Sequence, residues 1–117
     1  MTKQKNTNRI NILWTTDNKI TVLTMLAVYV LNAKSRGWWK EINVIIWGAS
    51  AKLVAEDTQV QTEVLEMIHS GINVEACKDC SDVCGVTNDL ARLGVNVRFM
   101  GQPLTDYIQS GEPVLVI

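Results

Sequence analysis

Cys77-Lys-Asp-Cys80-Ser-Asp-Val-Cys84 holds all three cysteines of the chain within one short stretch, and thiols at this spacing admit four kinds of chemistry. A thiol that carries sulfane sulfur as a persulfide needs one accessible cysteine of low pKa at a strand end, the place expected for Cys77. A dithiol redox site needs Cys-x-x-Cys at a helix start, which Cys77 and Cys80 provide. A metal site would take three cysteines with His69 as ligands for zinc, or three cysteines for an iron–sulfur cluster. His69 precedes the third strand and is expected at the opposite end of the sheet, and there is no fourth cysteine, so neither metal nor other cofactor is expected. The bland account makes Cys80 and Cys84, four apart on one helix face, small buried hydrophobes, and this is the role expected of Cys84.

The elements around the cluster alternate between strand and helix. Arg9–Trp14 reads as a strand, Thr15-Thr-Asp-Asn18 supplies capping residues, and an apolar run from about Ile20 to Lys34 reads as a helix. That helix is apolar nearly all round, more than one sheet contact requires, which predicts a second buried face at a subunit interface. Ile42–Trp47 is a β-branched strand closed by Gly48-Ala49-Ser50, with Ser50 as the expected N-cap of an amphipathic helix running to about Ser70. Ile72–Ala76 is a third strand, Ser81–Leu93 a helix, Val95–Met100 a fourth strand, Gly101 to about Ser110 a last helix and Pro113–Ile117 a fifth strand.

Repeated β-α units with right-handed crossovers predict an α/β fold, a three-layer α/β/α sandwich around a five-stranded parallel sheet. The expected division is a flexible tail over 1–8 and a single domain over 9–117, with no internal repeat, low-complexity tract or linker.

Composition narrows the function classes. The 117 residues are 47% hydrophobic and 20% charged, within the range of folded domains. Eleven basic against twelve acidic residues leave no basic stripe for nucleic acid and no polybasic segment for an anionic membrane. No secretory leader is expected, and the longest apolar run falls short of a membrane span, so the cytoplasm is the expected compartment. There the thiols stay reduced.

Ligands of open parallel sheets bind outside the carboxyl ends of the strands. That rim is expected to collect Thr15 and Thr16 after strand one, Gly48 and Ser50 after strand two, Cys77 after strand three and Gly101 after strand four. Helix-terminal N–H groups would favour the Cys77 thiolate, with Cys80 beside it, and the N–H groups after Gly48 would hold developing negative charge. Asp17 and Lys19 are expected to cap and solvate the first helix, Glu56 and Asp57 to be solvated, and His69 to sit at a helix C-terminus. Trp38 and Trp39 are expected at a subunit contact.

Several segments together resemble the DsrE/DsrF-like family, which includes the sulfur-relay subunits of the TusBCD complex. They are Ile45-Ile-Trp-Gly48, Gly71-Ile-Asn-Val-Glu-Ala-Cys77-Lys-Asp-Cys80, Cys84-Gly85-Val86, Leu93-Gly94-Val95 and Met100-Gly101 with Pro103-Leu104-Thr105. The resemblance covers nearly the whole chain. It implies a five-stranded parallel sheet between helices, assembly as trimers or hexamers, and a sulfur-carrying role for Cys77, with the family's Gly eight positions later matched by Gly85. Basic residues usual before that Gly are replaced here by Val83 and Cys84, which sets the chain closer to the stand-alone single-chain members. The expected function is a cytoplasmic homo-oligomeric sulfur carrier or sulfurtransferase-like protein, with a protein as sulfur donor or acceptor. The alternatives are a thiol redox protein using Cys77 and Cys80, or a non-catalytic module that binds a small ligand.

Overall fold

A computed structural model describes residues 8–117; the tail expected over 1–8 lies outside the described residues except for Asn8. Five strands form one sheet: β1 (Arg9–Trp14), β2 (Glu41–Ile46), β3 (Asn73–Cys77), β4 (Asn96–Arg98) and β5 (Val114–Val116). Every pairing is parallel and the order is β4-β3-β2-β1-β5. The sequence runs outward from β1 to the β4 edge and then returns to place β5 beyond β1. The crossovers run in both directions along the sheet, and under the general right-handed rule this sets the helices on both faces, as the expected α/β/α sandwich requires.

One face is covered by a continuous helix and two helix pairs. The first helix comprises α1 (Lys19–Thr21), a π-helical stretch (Val22–Leu26) and α2 (Ala27–Ser35). Asn18 opens it by accepting a 2.9 Å hydrogen bond from the Thr21 N–H. The expected single helix after β2 is two, α3 (Ser50–Glu56) and α4 (Thr58–His69). Asp57 makes the break: its backbone is extended and its carboxylate accepts from the N–H groups of Gln59 and Val60 at 2.9 and 3.0 Å, so it starts a new helix. Those bonds, Val60's first, and the Lys19 ammonium hold the Asp57 carboxyl below its ordinary pKa. Ser50 is the first residue of α3 and not its cap.

The helix expected over 81–93 is likewise two, α5 (Lys78–Val83) and α6 (Thr87–Arg92). Gly85, at φ +71°, turns the chain between them in a conformation that favours glycine. Because α5 starts directly after β3, Cys80 lies inside it and Cys84 is its C-cap.

The other face belongs to α7 (Gly101–Gln109), whose Tyr107 and Leu104 pack with Ile45, Cys77 and Met100. Towards the amino ends of the strands this face is polar. The sequence carries a short recurrence, Ile10-Asn11-Ile12, Ile42-Asn43-Val44, Ile72-Asn73-Val74, and the three asparagines are level in the sheet. Asn43 donates to the Asn11 Oδ1 at 2.9 Å, Asn73 to the Asn43 Oδ1 at 3.1 Å, and Asn11 to Glu112 at 3.0 Å. Glu112 takes a bidentate pair from Arg9 at 2.6 and 2.7 Å, and Arg9 lies 5.1 Å from the Tyr107 ring centroid. On the other side Glu75 accepts from Arg98 at 2.9 Å and from the Tyr107 hydroxyl at 3.2 Å. Asn11, Asn43, Glu75 and Glu112 are all buried, and a one-residue slip of any strand would strand their polar groups without partners.

No helix among the described residues is long and apolar enough to cross a membrane.

The ladder has a pH signature. The hydrogen bonds from Arg9 hold the Glu112 carboxyl below the usual glutamate range against its burial. A depressed carboxylate contributes stability that is complete above the unfolded-state pKa and lost as pH falls through the folded-state value. The melting temperature is expected to be flat from neutrality to about pH 5 and to fall at lower pH. Glu112→Gln should lose about 1.5–3 kcal/mol at pH 7 in urea unfolding and lose less than wild type on further acidification. Parallel pH profiles for the two proteins would contradict this account.

Candidate functional site

At the carboxyl rim the ends of β1, β2 and β5 are tied together by backbone, one serine and one threonine. Ser50 is fully buried; its hydroxyl donates to the Trp14 carbonyl at 2.6 Å and accepts from the Trp47 N–H at 3.1 Å. The Trp47 N–H also lies 3.0 Å from the Trp14 carbonyl. Thr15 is engaged with the chain end, its N–H and hydroxyl both donating to the Ile117 carbonyl at 2.6 and 3.1 Å. Thr16 accepts from the Asn18 N–H, and Gly101, exposed at the start of α7, accepts the Thr105 hydroxyl. Of the five expected pocket residues, Gly48 is the one that a thiol touches.

Gly48 turns the chain after β2 at φ +72°, with nothing within 4 Å of where a Cβ would stand. The left-handed backbone, not crowding, is what makes glycine suitable here. The Cys80 sulfur sits against this turn, 3.1 Å from the Gly48 N–H and 3.2 Å from its carbonyl, accepting from one and donating to the other. Cys80 interacts electrostatically with Cys84 and Cys77. Burial is the largest influence on the Cys80 thiol and pushes its pKa up, opposed by the Gly48 N–H.

The three thiols differ in access, in an order the sequence does not announce. Cys77 was expected to be accessible and is buried, 2% exposed. As the last residue of β3 it shares the face of Glu75, which turns its sulfur under α7 among Ile45, Met100 and Tyr107. Cys80 is half-buried between the two core clusters, and Cys84, expected as packing, is exposed. Its exposure follows from the end of α5 at Val83, which leaves Cys84 on a turn and not on a buried helix face.

Cys84 opens onto a cleft of about 390 Å³ whose other walls are Asp17, Ala49, Lys52, Leu53, Glu56 and Asp57. The walls come from the neighbours of the expected residues: Asp17 beside Thr16, and Ala49 between Gly48 and Ser50. Lys19 pairs with Asp57 at 3.0 Å, and Lys52 reaches Glu56 at 3.8 Å. His69 is exposed at the last turn of α4, before β3 begins, and so is remote from the thiols along the strand. Among the described residues no group of three or more His, Cys, Asp or Glu is arranged to hold a metal ion.

No protein-family model matches the chain, and no curated protein matches it. Solved structures do. The conserved protein of unknown function BT1422 from Bacteroides thetaiotaomicron is 61% identical over 94% of this chain and 95% of its own, with a TM-score of 0.92. MTH1491 from Methanobacterium thermoautotrophicum, also of unknown function, is 20% identical over 93% and 98% of the two chains, with a TM-score of 0.79. The ychN protein from E. coli is 14% identical over 95% and 99%, with a TM-score of 0.69. At such identities the last two show a shared fold.

The burial order predicts alkylation order. Iodoacetamide followed by peptide mapping should find Cys84 modified first, Cys80 more slowly and Cys77 only when unfolding exposes it. Native Cys77 reacting as fast as Cys84 would contradict the geometry.

Proposed function

The chain belongs to one family with BT1422 of Bacteroides thetaiotaomicron, and from that premise we propose that it is a DsrE/DsrF-like sulfur carrier in which Cys77 holds sulfane sulfur as a persulfide. The observation that carries the reading is the gathering of three interacting thiols at the carboxyl rim, with Cys80 held on the Gly48 N–H between a buried Cys77 and an exposed Cys84. Supporting it, the residues of the family resemblance fall at structural turning points. Cys77 ends β3, Gly48 makes the turn after β2, and Gly85 makes the break after α5.

The chemistry is persulfide exchange. A thiolate attacks the terminal sulfur of a persulfide, a new S–S bond forms, and the old one breaks with its electron pair leaving on the donor thiolate. Sulfur moves with no net oxidation, so no external oxidant or reductant is required. Burial suits the final holder because a buried persulfide is shielded from solvent thiols that would strip it. Met100, unbranched and flexible, is the neighbour of Cys77 best able to yield to one more sulfur atom.

We place this chemistry in the reducing cytoplasm, with a protein as donor or acceptor, and in a homo-oligomer, a trimer or hexamer. The first helix turns Ile20, Met25 and Val28 outward, each more than 40% exposed. Beyond its end Trp38 is exposed while Trp39 donates to the Tyr29 hydroxyl at 3.0 Å. Large apolar side chains exposed in such number are the mark of a covered surface.

Intact mass with peptide mapping after treating the reduced protein with a persulfide donor should show a gain of one sulfur located on Cys77, and in Cys77→Ser no sulfur should be found at that position. No gain on the wild type would overturn the carrier reading, and a Cys77–Cys80 disulfide as the main product would favour the redox alternative. Sedimentation should give three or six times the 13.1 kDa chain mass, with Val28→Glu shifting it towards monomer; a monomeric wild type would contradict the assembly.

A further inference from the structure

We infer that Cys84 is the entry thiol of this site, and that the cleft beside it takes a low-molecular-weight persulfide built on an α-amino acid. The inference rests on the sulfur-carrier reading, which names Cys77 as the holder and leaves open how sulfur reaches a residue that is 2% exposed.

Three observations carry it. First, Cys84 is the exposed member of the cluster, Cys80 precedes it by one helical turn and is half-buried, and Cys77 at the start of the same helix is buried, so the thiols form a sequence from surface to core. Second, the cleft that Cys84 opens onto, about 390 Å³, is of the size that small-molecule sites occupy. Third, its walls carry both signs of charge around a small apolar patch. Asp17 and Glu56 are placed to receive an ammonium, the exposed Lys52 to receive a carboxylate, and Leu53 and Ala49 to receive methylenes. With Asp57 paired to Lys19 and Glu56 to Lys52, Asp17 leaves a net negative charge on the walls that disfavours bare polysulfide anions. A zwitterion with a sulfane sulfur at its far end fits those walls.

The steps balance. The Cys84 thiolate attacks the terminal sulfur of R–S–SH, giving Cys84–S–SH and R–S⁻, which takes up the proton that Cys84 lost and leaves as R–SH. The Cys80 thiolate then takes the same sulfur, restoring Cys84, and Cys77 takes it from Cys80. Gly48 N–H lies where it stabilises the negative charge on the Cys80 sulfur at each exchange.

Free cysteine persulfide and a glutathione-type peptide persulfide share the recognised group, so both serve as probes, with inorganic polysulfide as the donor that lacks it. Loading is followed by quenched intact mass and peptide mapping. Cys84→Ser should slow loading of Cys77 from all three donors by about tenfold or more. Asp17→Asn combined with Lys52→Ala, both surface changes, should raise the half-saturating concentration of the amino-acid persulfides alone. The faster of the two at equal concentration identifies the source. Wild-type loading rates of Cys77 in both variants would overturn the entry role while leaving the carrier reading intact. A wild type that takes sulfur from no donor at any cysteine would overturn the carrier reading itself.

Discussion

The asparagine ladder that ties β1, β2 and β3 side by side is the constraint on which the rest of this structure depends. A parallel sheet whose strands are nearly all apolar has little to fix one register over another, since Ile against Val is as good as Ile against Ile. Three level amides, ended by Glu112 with Arg9 on one side and by Glu75 with Arg98 and Tyr107 on the other, remove that freedom. Asn11 and Asn43 are buried, and each amide is satisfied only when its neighbour is level with it. The ladder occupies the amino half of the face under α7, and the site occupies the carboxyl half.

Register at one end fixes geometry at the other. With Asn11, Asn43 and Asn73 aligned, Trp14 stands opposite Ile46 and Ile46 opposite Ala76, so that Trp47 and Cys77 follow at the same level. Ser50 then reaches back to the Trp14 carbonyl and secures the turn that presents Gly48 to Cys80. The sulfur cluster is thus assembled by backbone from two strands and one short helix, with each thiol's exposure set by its host element. The strand turns Cys77 under α7, the helix interior half-covers Cys80, and the end of α5 leaves Cys84 in solvent.

Much of this was legible in the sequence because the dominant signals were apolar runs and glycine stops. Those gave five strands, the right order of elements and the strand-end position of Cys77. What escaped were effects decided by single polar residues or by side-chain direction. Asp57 looks like one more solvated residue in an amphipathic helix, yet its carboxylate starts a new helix within that run. Gly85 breaks a second helix in the same way, and the break is what exposes Cys84. The apolar-Asn-apolar triplets at Asn11, Asn43 and Asn73 also escaped, because their meaning requires knowing that the three strands are adjacent in the sheet. The burial of Cys77 follows from strand parity, which places it with Glu75 on the α7 face; a strand-end position alone does not give that.

Where sulfur comes to rest is the most direct test of Cys77 as its holder. A crystal structure of the protein after exposure to a persulfide donor should show density for one additional sulfur bonded to the Cys77 Sγ, enclosed by Ile45, Met100 and Tyr107. Density for the added sulfur on Cys80 or Cys84 with Cys77 unmodified, or no added sulfur at any of the three, would contradict it.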